Sequence, residues 1–466
     1  MFMKNSYYIL ILLLLVVLSG LLQAQPSAAG VSEKTTFSLS EALDFAITNN
    51  YTMKNAVLQK GISQTRIGQA KGLLLPQISG NLDMIHNFTV QSTVLEYGST
   101  FFPANPPSEP KGSPAAIQLG LKNQFTPSVT ASQALFDMAA FSGLKGARVS
   151  REIADKGITQ SKIDVIANVT KAYYAVLVSE MQLKSVQKNL QRVDSSYRET
   201  VGRFDAGLAR KLEVTRIEVS LNNQQEQLLQ AISAVDLNRS QLRFQMNASN
   251  ENPLILTDSL HEGLLTDAGQ VLKDKQKATY TDRIEYSINQ SQYLFNKLDT
   301  KTTNAGHYPR LLAIAAEGYT PAATQVSNIF SEQRRWHPYN YVGLRLQVPI
   351  FSGFSLNYRV QEKKLNEQIT LNNKFALEKA IDLQVSQALI NLNNSMRSFD
   401  IQKRNFILAD ENLRVSRAEY EQGIATNLEV TVAEASLIET QYSYFNALYG
   451  VLVSKIDYDK AMGRIK

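Results

Sequence analysis

Two carboxylates that could do chemistry occupy equivalent positions in a duplicated segment of this 466-residue chain. Residues 204–225 and 420–441 align without a gap and share a Leu-Glu-Val-Thr block. The acid of that block is Glu213 in the first copy and Glu429 in the second. A carboxylate in the first turn of a helix caps backbone N–H groups and offsets the positive end of the helix dipole. Capping or solvating a helix start is therefore the simplest role for both acids.

The other residues of reactive type form no recognised catalytic or metal-binding pattern. The chain has no cysteine, which excludes disulfides and thiolate metal ligands. No His-x-x-x-His, His-Glu-x-x-His, Gly-x-Ser-x-Gly or phosphate-binding loop occurs, so the sequence predicts no enzyme, metal site or cofactor. The net charge of +6 comes from basic residues spread among nearly as many acids, which indicates solvated helix faces and no nucleic-acid partner. The four histidines are scattered at His86, His261, His307 and His337.

The N-terminus is typical of a secretory signal peptide. Lys4 precedes an apolar run from Ile9 to Leu18, and Ala24 provides a small residue at the expected cleavage site. The run is shorter than the roughly 18 apolar residues that a membrane helix needs, which favours cleavage over an N-terminal membrane anchor. The mature chain is therefore expected to be exported.

The elements that must position the two acids are long helices, each followed by a tight turn and a return helix. Apolar residues recur at steps of mostly three and four between residues 166 and 204, as in a coiled-coil seam. No proline interrupts residues 139–204, so this helix could extend about 100 Å. Gly207 marks the turn, and a return helix is predicted from about Lys211 to Met246. The second half repeats this order with a long helix at 355–421, a turn at Gly423 and a return helix at 427–462.

Segments in which apolar and polar residues alternate precede each long helix. Residues 77–91 and 117–135 alternate apolar and polar side chains over more positions than the about 5–6 of an ordinary strand. Such length favours membrane strands, with one face on lipid and one on a wet lumen, over a hairpin of a soluble sandwich. The remaining predicted elements are two helices within 39–75 with an N-cap at Ser40, a loop at 97–116, a helix at 280–305, and strands at 308–325 and 339–351.

Neither the strands nor the helices of one chain can form a closed structure. Four strands are too few, because the smallest closed barrels have about eight. An open sheet edge in lipid leaves unpaired N–H and C=O groups, each at a cost of several kcal/mol. The long helices also need neighbours, and a helix at 54–75 could stack end to end on the return helix to complete one row. We therefore expect several copies of the chain to associate.

These parts together resemble the TolC family of outer-membrane efflux proteins, also called outer membrane factors. The resemblance covers essentially all of the mature chain, and its most specific marks are the tips at Phe204–Val214 and Tyr420–Val430 and the strand end at Val348–Gly353. The family fold implies a mostly α chain with a membrane β part. Three copies would form a homotrimer, in which duplicated coiled-coil helices make a periplasmic α-barrel and four strands per chain share a 12-stranded transmembrane β-barrel.

On this basis the chain divides into a signal peptide and two repeats, which are separated by a segment that would wrap the middle of the tunnel. The expected divisions are 1–24 (signal peptide), 25–75 (N-terminal and first-repeat helices), 76–136 (first β-hairpin), 137–247 (first-repeat long helix, tip and return helix), 248–279 (inter-repeat equatorial segment), 280–307 (second-repeat helix), 308–352 (second β-hairpin) and 353–466 (second-repeat long helix, tip, return helix and C-terminus).

The resemblance implies a passive exit duct in the outer membrane of a Gram-negative bacterium, extending into the periplasm. Its expected partners are further copies of the chain, outer-membrane lipid, a periplasmic adaptor protein and an inner-membrane pump of the RND or ABC type. Such an assembly would be a tripartite efflux pump or a type I secretion system. The alternative is a structural coiled-coil protein of the cell envelope without a pore, and the alternating strands and duplicated tips count against it.

The family closes its tunnel at the helical tips with acidic rings and cross-links between coils, which gives the tip residues expected roles. Glu429 matches an acidic ring position, and three crowded carboxylates would attract cations. The second ring position is Val432, so that ring is absent. Tyr420 matches the aromatic latch residue and Glu213 its acidic partner, whereas the latching arginine position is Ala425. Nearby candidates for the missing cation are Arg210, Lys211 and Arg216.

Overall fold

The chain alternates short helices and strands with two very long helices. The computed structural model describes residues 36–96, 114–118, 120–249, 253–260, 263, 279–320, 322–330 and 336–465. The predicted signal peptide and most of the predicted 97–116 loop lie outside the described residues. The helices of the described ranges are α1 (Leu39–Asn49), α2 (Tyr51–Gly72), α3 (Met138–Asp205), α4 (Lys211–Met246), α5 (Ile284–Asn304), α6 (Ser355–Glu421) and α7 (Asn427–Ala461). The strands are β1 (Thr36–Phe37), β2 (Gln77–His86), β3 (Ser92–Glu96), β4 (Pro114–Gln118), β5 (Asn123–Phe136), β6 (Ile255–Leu256), β7 (Arg310–Tyr319), β8 (Ala322–Ala323) and β9 (Pro338–Gln347).

The two long helices have the lengths that the sequence predicts. α3 has 68 residues and α6 has 67, which makes each about 100 Å long. Asp137 starts α3 directly after β5, because its carboxylate accepts hydrogen bonds from the N–H groups of Ala139 (2.9 Å) and Ala140 (3.1 Å). None of the described helices has the length and apolar content that a bilayer-spanning helix requires.

Short helices extend the return helices end to end, as predicted for the first repeat. At the junction of α2 and α4, Asn50 Nδ2 donates to the carbonyl of Gln245 (2.6 Å). At the junction of α5 and α7, the buried Arg283 donates from Nη1 to the carbonyl of Ala461 (2.7 Å). Packing contacts place four helix columns side by side in the order α2/α4, α3, α5/α7 and α6. The two outer columns, α2/α4 and α6, each have one side on which no further helix column packs within the described part of the chain.

The main sheet follows the same order as the helix columns. Its path is β2-β5-β7-β9, every neighbouring pair is antiparallel, and β8 pairs with one end of β5. β2 follows α2, β5 leads into α3, β7 follows α5 and β9 leads into α6. Among the described strands, β2 and β9 each have one unpaired edge. Four helix columns therefore continue into four strands, with open edges on the same two sides.

Strand boundaries were predicted wrongly in both repeats. In the second, the strand predicted at 308–325 ends at Tyr319, and the one predicted at 339–351 ends at Gln347. The strand predicted at 77–91 ends at His86, and the chain beyond it forms β3, which pairs with β4 as a separate hairpin. The strand predicted at 117–135 is divided between β4 and β5. The division arises because Gly120 has a φ of +136°, a backbone conformation outside the extended region of a strand.

The first helix ties the N-terminal segment to α3. Its N-cap is Ser38 and not the predicted Ser40, because Ser38 and Glu41 form a reciprocal capping box. Just before it, β1 pairs in parallel with β6, and the hydroxyl of Tyr173 on α3 donates to the carbonyl of Phe37 (3.1 Å). Apolar side chains from α1, α3 and α4 close this part of the core. The fully buried ones include Ala42, Ala46, Val169, Val176, Leu242 and Met246.

Candidate functional site at the helical tips

The two turns that join the long helices to the return helices are built in the same way. Gly207 and Gly423 both have a φ of +76°, the left-handed conformation that favours glycine. In the second repeat, the N–H of Ile424 donates back to the carbonyl of Glu419 (2.9 Å), and the first repeat closes with the equivalent bond. This closure satisfies carbonyls at the end of the long helix and reverses the chain. The predicted tip turns are therefore two copies of one local structure.

Glu429 lies in the first turn of α7, where it forms a capping box. Its Oε2 accepts a hydrogen bond from the N–H of Thr426 (3.1 Å), and its own N–H donates to Thr426 Oγ1 (3.4 Å). The side chain is exposed, as is the apolar Val432 further along the helix. One carboxylate oxygen thus fixes the helix start, while the negative charge stays accessible to ions.

The equivalent turn of the first repeat is held differently. Its N-cap, Arg210, makes no side-chain capping hydrogen bond, and Arg210 Nε lies 3.5 Å from Glu213 Oε1. Lys211 places its ammonium group 5.7 Å from the centre of the Phe204 ring, a cation–π contact. Arg216 is exposed on α4. Two of the three candidate cations are therefore engaged within their own coil.

Tyr420 connects the two repeats through Arg203, a residue that the sequence did not single out. The guanidinium carbon of Arg203 lies 5.0 Å from the centre of the Tyr420 ring. The same ring packs against the apolar cluster between α6 and α7. The resemblance implies that Tyr420 and Glu213 pair with each other. In the structure, Tyr420 contacts Arg203 and Glu213 pairs with Arg210.

A charge cluster around one buried carboxylate lies next to the tips, between α3 of the first repeat and the α6–α7 coil of the second. Glu434 on α7 is only 2% exposed, and its Oε1 lies 3.2 Å from Nη2 of Arg417 on α6. The same Nη2 donates to Ser196 Oγ on α3 (3.1 Å). Arg192 on α3 adds a second positive charge near the Glu434 carboxylate. The cluster therefore joins three helices, and Glu434 Oε2 has no hydrogen-bond donor among the described residues.

Burial governs the ionisation of this cluster. The pKa of Glu434 is raised above its ordinary value, because burial penalises its charge more than Arg417 and Arg192 stabilise it. Burial also lowers the pKa of Arg192. Sequence reasoning missed the cluster because the partners of Glu434 lie on two other helices. The one available signal was that the duplication retains an acid at this position, which is the exposed Glu218 in the first repeat.

Comparisons with known proteins match this architecture over most of the chain. A family model described as "Outer membrane efflux protein" matches residues 42–248 and 299–464. The outer membrane protein TolC of Escherichia coli strain K12 is 22% identical over 464 residues, which covers 94% of this chain and 86% of TolC. The CusC structure superposes with a TM-score of 0.70 at 14% identity, covering 94% of this chain and 98% of CusC. The CmeC outer membrane channel of Campylobacter jejuni superposes with a TM-score of 0.68 at 15% identity, covering 95% of this chain and 93% of CmeC.

Proposed function

Because this chain belongs to the outer membrane efflux protein family, we propose that it is the exit channel of a tripartite efflux pump or a type I secretion system, gated at its helical tips. The family and the TolC relatives assign the chain to the outer membrane of a Gram-negative bacterium, with an extension into the periplasm.

The observation that carries the proposal is a pair of apolar stripes on the two open sides of the helix columns. On α6 the stripe faces away from the side that packs on α5 and α7, since its members lie about half a helical turn from the buried ones. The second stripe runs along α2 and α4, opposite their contact with α3. Side chains of both stripes are 41% to 75% exposed in the single chain. The members are Tyr358, Leu365, Leu383, Ile390, Ile401, Leu408 and Val415 on α6, and Tyr51, Leu58, Ile62, Leu212, Val219, Leu237 and Phe244 on α2 and α4.

One open side of the chain fits the other open side of a second copy, because both are apolar and both run along a helix column. Contacts between unlike sides repeat from copy to copy and form a ring if the rotation closes. In a ring of three, the number that the family resemblance implies, β2 of one copy would pair with β9 of the next. The sheet would then lose its open edges, which are costly in lipid. The lipid of the outer membrane would surround this sheet.

The tips are the end of the tunnel that an adaptor and an inner-membrane pump of the RND or ABC type would meet. Three copies of Glu429 would form an acidic ring there, which would concentrate cations at the entrance. A coiled-coil envelope protein without a pore remains the second candidate. It accounts for the helices, but it gives no reason for four strands that continue the four helix columns.

Planar-bilayer conductance of the purified protein tests this function. A trivalent cation added on the side of the tips should block small, stable current steps, and the same cation on the other side should not. Glu429→Gln keeps an acceptor for the capping box but removes the charge, so block should weaken while the trimer stays intact. Thr426→Ala is the matched control, because it removes the capping hydroxyl and keeps the charge. Unchanged block in Glu429→Gln would contradict the acidic ring, and an absence of current even from variants opened at the tip would contradict the channel.

A further inference from the structure

The family's latching arginine position is Ala425 in this chain, yet side chains join the two repeats next to the tips. We propose that Arg192, Arg417 and Glu434 form the latch that keeps the tip closed, by fixing the α6–α7 coil to α3 of the same copy. This inference rests on the proposed channel function and names the residues that regulate it. Arg210 and Lys211, the cations nearest in sequence to the tip acids, are engaged within the first coil instead.

A polar stripe on α3 faces the second-repeat coil. Its members are Asn189, Arg192, Ser196, Thr200 and Arg203, at helical steps of three and four that place them on one face. On one side of the charge cluster, Asn189 Nδ2 donates to Gln441 Oε1 (3.1 Å). On the tip side, Asn427 Nδ2 donates to Thr200 Oγ1 (3.4 Å). The charge cluster is therefore the centre of a continuous polar contact between the repeats, which ends at the pair of Arg203 and Tyr420.

The duplication does not repeat the cluster. The equivalents of Glu434, Arg417 and Arg192 in the other repeat are Glu218, Val201 and Leu408. Leu408 belongs to the apolar stripe of α6, and Glu218 is exposed. The seam between repeats of one copy thus carries an ionic contact around the buried Glu434, whereas the corresponding seam between copies would be apolar and without the two arginines.

The charges of the cluster are incompletely compensated, and a contact of that kind can open at little cost. Glu434 Oε2 has no donor among the described residues, and burial opposes the ionised form of this carboxylate. Arg192 and Arg417 repel each other, and the Glu434 carboxylate attracts both of them, with Asp410 as a further attractive charge on Arg192. Removal of Glu434 leaves the repulsion between the two arginines less compensated, and removal of Arg417 leaves the buried carboxylate without its ion-pair partner. Separation of the coils relieves both costs. Loss of Glu434 or Arg417 should therefore favour the open tip.

Conductance measures that effect. Glu434→Gln and Arg417→Met should raise the open fraction of the channel by about tenfold or more. Two matched controls should behave like the parent protein. Arg414→Met removes an arginine of the same helix whose partner, Glu411, is in an exposed ion pair (2.5 Å). Glu218→Gln removes the equivalent acid of the first repeat.

A cross-link across the same seam reads the latch without any current. The chain has no cysteine, so Thr200→Cys with Asn427→Cys places the only thiols at the tip end of the seam. Oxidation or a short bifunctional maleimide should link them quickly in the parent background and several-fold more slowly in Glu434→Gln. Once formed, the link should return the conductance of Glu434→Gln to the parent level.

The outcomes separate the latch from the channel. A cross-linking rate that Glu434→Gln leaves unchanged overturns the latch, whether or not current flows. Where the parent protein carries current, equal open fractions in Glu434→Gln and in Arg414→Met also overturn it. If Glu434→Gln slows cross-linking but no variant carries current, the latch is supported and the proposed channel function fails. Glu434→Gln conserves side-chain volume, so it decides the question even if Arg417→Met does not fold.

Discussion

The apolar stripe on α6 gives a quantitative prediction about assembly. Ile390 lies in that stripe and is 56% exposed in the single chain. Complete burial of an isoleucine contributes about 1.5–3 kcal/mol, so covering this fraction contributes about 1–2 kcal/mol per seam. Three equivalent seams would contribute about 3–5 kcal/mol per trimer, before the cost of burying a carboxylate is added. Ile390→Glu should therefore lower the trimer association constant by about a hundredfold or more.

Size-exclusion chromatography with light scattering, in detergent and over a range of protein concentrations, measures the shift. Leu389→Glu is the matched control, because Leu389 is the next residue of the same helix and 41% exposed but lies about 100° away from the stripe. Both variants should keep the helical circular dichroism of the parent, since neither side chain is in the core of the single chain. Trimers of Ile390→Glu that dissociate no more readily than those of Leu389→Glu would refute the edge-to-edge assembly.

Three other perturbations test the core, the tip turns and one ion pair. Leu392→Ala removes a side chain that is 0% exposed between α6 and α7, so it should destabilise the protein by about 2–5 kcal/mol in denaturant unfolding. Gly423→Ala should cost about 1–2 kcal/mol in the same assay because φ is +76°, whereas Gly61→Ala, in open space on α2, should be neutral or stabilising. The hydrogen bond from Lys156 lowers the pKa of Glu152. The ionised Glu152 therefore stabilises the folded protein above the pKa that this group has in the unfolded chain, and this stabilisation is lost as the pH falls through the pKa of the folded state. Glu152→Gln should therefore weaken the loss of thermal stability on acidification, and an unchanged pH profile would count against that pair.

Local signals explain which parts of the fold were predictable. The spacing of apolar residues by three and four and the glycines of the tips are signals carried by residues close together in the sequence. The return helix α4 has the bounds that these signals predict, Lys211–Met246. The strand predicted at 117–135 failed because the alternation of side chains continues through Gly120, while the backbone there leaves the extended region. The charge cluster was out of reach for a different reason. The hydrogen bond of Arg417 to Ser196 joins residues 221 positions apart, and no spacing within either repeat indicates which faces of α3 and α6 meet.

A ring built from a duplicated chain contains two kinds of seam, one within each copy and one between copies. If the repeats were identical, the two seams would have the same contacts and would respond alike to any perturbation. In a ring of this chain the divergence of a few residues would make them different, since Arg192 in the inner seam is replaced by the exposed Leu408 on the open side of α6. Apolar burial suits a seam that must hold copies together, because it tolerates small displacements without leaving a charge unpaired. An ionic seam would suit a contact that opens, so Ile390→Glu and Glu434→Gln test the proposed assembly and the proposed closure separately.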